Sequence, residues 1–141
     1  MNSRPVIYWT ATVIAALLFA VPGTALVLHV PHFAAEMGRL GYPTYFLNLL
    51  GVFKVLAAIA ILAPGFARLK EWAYAGMIFD IIGAIVSHVA VNDEVVTMVI
   101  PVLIACLVVT SWALRSPSRR LVSADSVRSV SPHTPATERA R

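Results

Sequence analysis

The sequence contains a single cysteine, Cys106, among its 141 residues. One cysteine excludes a disulfide within the chain and a CxxC redox pair. Because Cys106 stands in an apolar run, we interpret it as a small buried hydrophobic residue and not as a reactive thiol.

Charged residues are scarce as well. Only 13% of the residues are charged and 59% are hydrophobic, and the mean hydropathy is +0.80. A soluble domain has about a quarter charged residues, so this composition indicates one small membrane domain whose main partner is the lipid bilayer. The segment after Arg115 is rich in Ser, Pro and Arg but lacks the interleaved aromatic residues that base stacking needs, so we do not expect nucleic acid as a partner.

Long apolar runs dominate the rest of the chain. A transmembrane helix needs about 20 predominantly apolar residues. Four runs meet this length, at about 6–28, 44–63, 72–91 and 95–114. We therefore predict an all-α fold in which residues 1–115 form a four-transmembrane-helix bundle and residues 116–141 form a disordered tail.

Two features modify this plan. In the connection between the first two runs, Phe33, Met37 and Leu40 recur at helical spacing, which predicts a short interfacial helix. Pro22 and Gly23 lie inside the first run and are expected to kink its helix.

The distribution of Lys and Arg predicts the orientation in the membrane. An even number of spans places both termini on one side, and the connection "NDE" on the other side is acidic. The basic residues lie near the N-terminus, in the second connection and in the tail: Arg4, Arg68, Lys70, Arg115, Arg119 and Arg120. We expect a multi-pass protein of the cell (inner or plasma) membrane with both termini, and therefore the tail, in the cytoplasm.

Two opposite charges interrupt the apolar runs. Lys54 in the second helix and Asp80 in the third each lie roughly 14–15 Å from the connection that joins the two helices. A short connection makes these helices antiparallel neighbours, so we predict that Lys54 and Asp80 form an ion pair. Gly51 on one helix, and Gly76 and Gly83 on the other, are expected to let the two backbones approach closely.

Two interpretations of this pair remain open. It is either a structural clasp that fixes the register of the helices, or part of a polar pocket for a quinone, a proton or a polar head group. Ser87 and His88 follow towards the outer end of the same helix, where a histidine either relays protons or forms a simple interfacial hydrogen bond.

Metal binding and stand-alone catalysis have little support. His29, His32 and Glu36 are metal-ligand residue types at helical spacing, but Pro31 interrupts the helix between the two histidines, so we expect no metal. The chain has no glycine-rich phosphate loop, nucleophile elbow or HExxH motif, and the catalytic residues, if any, stay unassigned.

Several motifs in combination identify a family resemblance. The segments "LGYP", "GVFK", "PGFARLKEWAYAG" and "FDIIGAIVSH" resemble the DoxX-like integral membrane proteins, over about residues 7–114. The resemblance implies a four-helix membrane bundle. The positions that would carry any shared site are Lys54, Glu71, Asp80, Ser87 and His88.

The resemblance also implies a function, though only a broad one. The family takes its name from a small subunit of a thiosulfate:quinone oxidoreductase, and wider relatives are linked to membrane redox partnerships or act as assembly chaperones. For this chain, the resemblance implies a small accessory or quinone-contacting subunit of a membrane redox system, with a redox partner or a second copy of the chain beside it. No cofactor is evident in the residues, and a quinone is the one that this role implies.

Two alternatives stay open beside this role. One is a membrane chaperone or interaction module, and the other is a small-solute transporter that uses the Pro22–Gly23 break. In both, Lys54 and Asp80 form a purely structural pair. Whether the chain is itself an enzyme is not decided by its sequence.

Overall fold

The computed structural model describes residues 3–115, with side chains from Pro5 onward. The predicted disordered tail, 116–141, lies outside the described residues. The described part of the chain is helical and contains no strand. Its five helices are α1 (Ser3–Val27), α2 (Pro31–Arg39), α3 (Thr44–Leu62), α4 (Ala67–Ala90) and α5 (Val95–Ala113).

Four of these helices are long and apolar enough to cross a membrane, which confirms the predicted fold class. The helices α1, α3, α4 and α5 pack in a closed ring in which α1 and α4 are each flanked by α3 and α5. Alanines of α1, together with Ile61, Met77 and Val108, fill the interior. Many large apolar side chains point outward, as expected for a bundle whose surroundings are lipid.

The two ends of the bundle differ. Thr12 near the start of α1 contacts Ser111 near the end of α5, with their hydroxyl oxygens 2.7 Å apart. The first and last described residues therefore lie at the same end, which we call the terminal end. The opposite end, which we call the α2 end, contains α2 and the turn between α4 and α5.

The short helix α2 confirms the prediction for the first connection. It begins at Pro31, the position where a helix tolerates proline best because the missing amide hydrogen has no intrahelical partner there. Phe33, Met37 and Leu40 are all half-buried, whereas His32 and Arg39 on the other side are exposed. No residue of α2 is fully buried.

The helices α1 and α3 meet most closely at two glycines. A Cβ atom on Gly51 would lie 2.6 Å from the Gly23 carbonyl oxygen, and one on Gly23 would lie 2.9 Å from the Gly51 carbonyl oxygen. Only glycine permits this backbone approach, which is a common way to pack helices in lipid. The helix α1 continues through Pro22 to Val27, so the proline does not end it. Gly23 matters because it lets α1 pack closely against α3.

Two sequence expectations need correction. The helix α4 begins at Ala67 and not near Trp72, because the polar residues of "ARLKE" extend the helix by more than a turn beyond its apolar part. The Lys70 ammonium explains this extension, since it donates a 2.6 Å hydrogen bond to the Ile61 carbonyl at the end of α3. Cys106 is exposed on the outer surface of α5, and not buried, because an apolar residue of a lipid-facing helix need not face the core.

The close approach of α1 and α3 predicts a sharp difference between two glycine substitutions. Gly51→Ala should lower the free energy of unfolding by about 1–3 kcal/mol, because its methyl group overlaps the α1 backbone. Gly76→Ala is the matched control, since a Cβ atom there meets nothing within 4 Å. Unfolding in mixed detergent micelles measures both variants, and equal stabilities would contradict the packing described here.

The predicted orientation is tested by reporter fusions at the C-terminus. Green fluorescent protein, which does not mature after export, should fluoresce in that fusion, and alkaline phosphatase, which needs an oxidising compartment, should be inactive. The reverse pattern would place the terminal end outside the cell and overturn the orientation.

Candidate functional site

The predicted ion pair is present. The Lys54 ammonium lies 2.5 Å from Asp80 Oδ2, and the two side chains are 17% and 16% exposed. They join α3 to α4, the helices on either side of the Ala63–Phe66 connection. Each charge alone would cost about 2.5–3.5 kcal/mol at the centre of a membrane helix, so each ion makes the other tolerable.

The pair lies near the middle of the membrane span. The helix α3 extends from Thr44 to Leu62, so Lys54 is about 15 Å from its start and about 12 Å from its end. The hydrocarbon core of a bilayer is about 30 Å thick. The pair is therefore far from both water interfaces.

The helix α1 also contacts Lys54, through Phe19 and Gly23. The Lys54 ammonium lies 4.8 Å from the centroid of the buried Phe19 ring, close enough for a cation–π attraction. One helical turn further along α1, Gly23 faces the Lys54 stem, where an added Cβ atom would lie 2.8 Å from the lysine Cβ. The sequence analysis missed Phe19, because an apolar residue in an apolar run carries no signal of such a contact.

A cavity of about 600 Å³ lies between α3 and α4 and has the ion pair in its wall. We call it the α3/α4 groove. Phe19, Leu50, Ala57 and Met77 line it, and its other wall residues are apolar too, apart from Lys54 and Asp80. The groove opens towards the lipid, because three of its wall residues have strongly exposed rings: Phe53, Trp72 and Phe79.

The glycines of α4 do not act as predicted. Cβ atoms on Gly76 and Gly83 would meet nothing within 4 Å, so neither glycine brings the α3 and α4 backbones together. Gly51 on α3 does serve close packing, but against α1. At Gly76 the missing side chain leaves space, and this residue lines the α3/α4 groove.

Ser87 and His88 lie at the α2 end, away from the groove. The Ser87 hydroxyl donates to the Gly83 carbonyl at 2.8 Å, so the Tyr42 hydroxyl, 2.5 Å from Ser87 Oγ, donates to it. His88 Nδ1 lies 2.6 Å from Asp93 Oδ2. Since a carboxylate only accepts hydrogen bonds, that ring nitrogen carries the proton.

Asp93 also binds Arg39 of α2. The two terminal nitrogens of the guanidinium lie 2.7 Å from the two carboxylate oxygens, in a bidentate arrangement. Glu36, one turn earlier on α2, contacts the same guanidinium at 2.5 Å. We call Glu36, Arg39, His88 and Asp93 the outer cluster.

The outer cluster shifts the ionisation of its members. The hydrogen bond from Arg39, and after it that from His88, lowers the pKa of the Asp93 carboxyl to about 2. The same guanidinium lowers the pKa of Glu36, and the two carboxylates raise the pKa of Arg39. Because the pKa of Asp93 is lowered, its ionised form stabilises the fold at pH values above the ordinary 3.8. This contribution is lost as the pH falls from there through about 2.

Three members of this cluster have the chemistry of metal ligands. Ligand atoms of Glu36, His88 and Asp93 lie within 4.8 Å of one another. Arg39 already contacts both carboxylates, so a metal ion would have to displace it. The two other candidate ligands from the sequence analysis, His29 and His32, are exposed and do not belong to this group.

Glu71 lies at the terminal end in a third, separate group. It accepts hydrogen bonds from Trp112 Nε1 at 2.8 Å and from Arg115 at 2.6 Å. The Arg115 guanidinium also lies 5.1 Å from the Tyr74 ring centroid. The five candidate residues thus occupy three places, and only Lys54 and Asp80 share the groove.

A buried hydroxyl network beside this group was not predicted. Tyr74 lies 2.7 Å from Ser111, and Ser111 lies 2.7 Å from Thr12. Thr12 donates to the Tyr8 carbonyl, so the hydrogen bonds run in one direction from Tyr74 to Thr12. The three residues lie on three different helices, and only the packing of α1, α4 and α5 brings them together.

One of three comparisons with known proteins supports this architecture. The comparison with curated proteins and the comparison with solved structures each found no match. A model of the DoxX-like family matches residues 10–111, a range that contains all of α3 and α4, most of α1 and α5, and the ion pair. The chain therefore belongs to the DoxX-like family and is an integral membrane protein with four spanning helices.

Proposed function

We propose that the α3/α4 groove binds a quinone, and that the protein is a small quinone-contacting accessory subunit of a membrane redox system. One observation carries this proposal. An apolar groove open to the lipid has a single pair of charges in its wall, at mid-depth in the membrane. This combination of a large apolar wall with a few placed polar groups is typical of small-molecule sites.

The depth of the pair supports a neutral ligand. The head group of a phospholipid stays at the interface, about 15 Å from the centre of the bilayer. A molecule that places its polar part beside Lys54 must therefore be mostly apolar and carry no charge. A quinone ring on an isoprenoid chain has these properties.

The two charged groups match the two redox forms of such a ring. The Lys54 ammonium has three N–H donors, one of which is directed at Asp80, and a further one suits a quinone carbonyl. A carboxylate accepts hydrogen bonds at two oxygens, so Asp80 suits the hydroxyl of a quinol. Family membership supports the accessory role, in which a partner protein supplies the electrons.

The apolar wall also favours this function over transport of a polar solute. A path for such a solute needs polar groups along its length, whereas the groove has them at one level only. The purely structural clasp is the remaining interpretation, and the experiment below separates it from binding.

A photoreactive quinone tests the proposal. The purified protein in lipid nanodiscs should be labelled on α3 and α4, and an excess of unlabelled quinone should compete. Asp80→Asn removes the acceptor charge, and Gly76→Leu fills the groove without a backbone clash. Each should weaken competition roughly tenfold, the discrimination expected for one lost polar contact or a blocked pocket.

The control is Glu94→Gln, which removes a carboxylate from the exposed turn at the α2 end. Its competition curve should match that of the unchanged protein. If Asp80→Asn lowers the amount of folded protein but leaves labelling per folded molecule unchanged, the pair is a structural clasp and the quinone proposal fails. Labelling that does not depend on Gly76 would also contradict it.

A further inference from the structure

We propose that α2 is a strap that closes the α2 end of the bundle, and that the ion pair between Arg39 and Asp93 is its fastener. When the strap opens, water gains access along one face of α4 towards Asp80. This inference rests on the geometry of the α2 end and does not depend on what the groove binds.

The connections of α2 allow it to move as a unit. His29 and Gly41, each one residue beyond the caps of the helix, have φ angles of 50° and 86°. This left-handed conformation is unusual for the non-glycine residue His29, and both positions are abrupt changes of chain direction. The nine residues of α2 include no fully buried side chain, so little apolar packing holds the helix down.

The side chains of the outer cluster fasten the strap to the far side of the bundle. The backbone of α2 packs on α1 and α3, but Arg39 reaches the turn between α4 and α5 and binds Asp93 through two hydrogen bonds. Glu36 orients the guanidinium, and His88 orients the carboxylate. The Arg39 side chain is 45% exposed, so this fastener is weak enough to open reversibly.

One face of α4 leads from the end that the strap closes to the ion pair. Tyr42, immediately after the hinge at Gly41, donates to Ser87 and covers it. Ser87 and Asp80 lie on the same face of α4, about 10 Å apart along the helix axis. Gly83 lies between them, and a Cβ atom there would meet nothing within 4 Å. No side chain therefore packs over the face at Gly83, and Tyr42 closes it at Ser87 only. Movement of α2 that carries Tyr42 away from Ser87 would admit water from the α2 end along this face.

Thiol accessibility tests the strap. In a Cys106→Ala background, Gly83→Cys places the single thiol on this face of α4. A small, positively charged methanethiosulfonate reagent should modify it slowly in nanodiscs. Adding Arg39→Ala should raise the rate roughly fivefold or more, the shift expected when an exposed ion-pair network is lost. Reversing the pair with Arg39→Glu and Asp93→Arg together should restore slow modification.

Two controls test whether a faster modification rate is specific to loss of the fastener. Glu94→Gln changes the charge of the same turn without touching Arg39, and it should leave the rate unchanged. The native Cys106, which faces lipid, should stay unmodified in Arg39→Ala. An unchanged rate at Gly83→Cys, a fast rate in the fastened protein, or an equal rise at Cys106 would each overturn the strap.

Discussion

Two opposite charges near the middle of the membrane constrain the whole structure. Lys54 and Asp80 each lower the cost of burying the other there, because either charge alone would lie unpaired in hydrocarbon. Their contact joins α3 to α4 at one level of the bundle. Both ions also lie in the wall of the α3/α4 groove, so the contact between these helices places the two charged side chains at the surface of that groove.

The other helices support this arrangement indirectly. Gly23 and Gly51 let α1 lie directly against α3, and this approach brings the Phe19 ring to the Lys54 ammonium. Each end of the bundle has its own polar group, with Arg39 and Asp93 at one end and Glu71 with its partners at the other. Within residues 5–115, the ion pairs thus lie at three distinct levels of the bundle.

The sequence predicts the parts of this account that depend on one-dimensional patterns. Apolar length predicts the four spans, and depth counting from a short connection predicts the contact between Lys54 and Asp80. Patterns fail where a role depends on three-dimensional neighbours. Gly76 and Gly83 look like packing residues but leave open space. His88 gives no sign that its partner is Asp93, and only the fold brings Arg39 to the same carboxylate.

The central claim is that Lys54 and Asp80 stabilise each other within the membrane, and a double-mutant cycle on unfolding in mixed micelles tests it most directly. Lys54→Met and Asp80→Leu should each lower the free energy of unfolding by about 3–5 kcal/mol, because each leaves one charge buried alone. The double variant should lie within about 1 kcal/mol of the unchanged protein. Additive losses, or single variants as stable as the unchanged protein, would contradict the account.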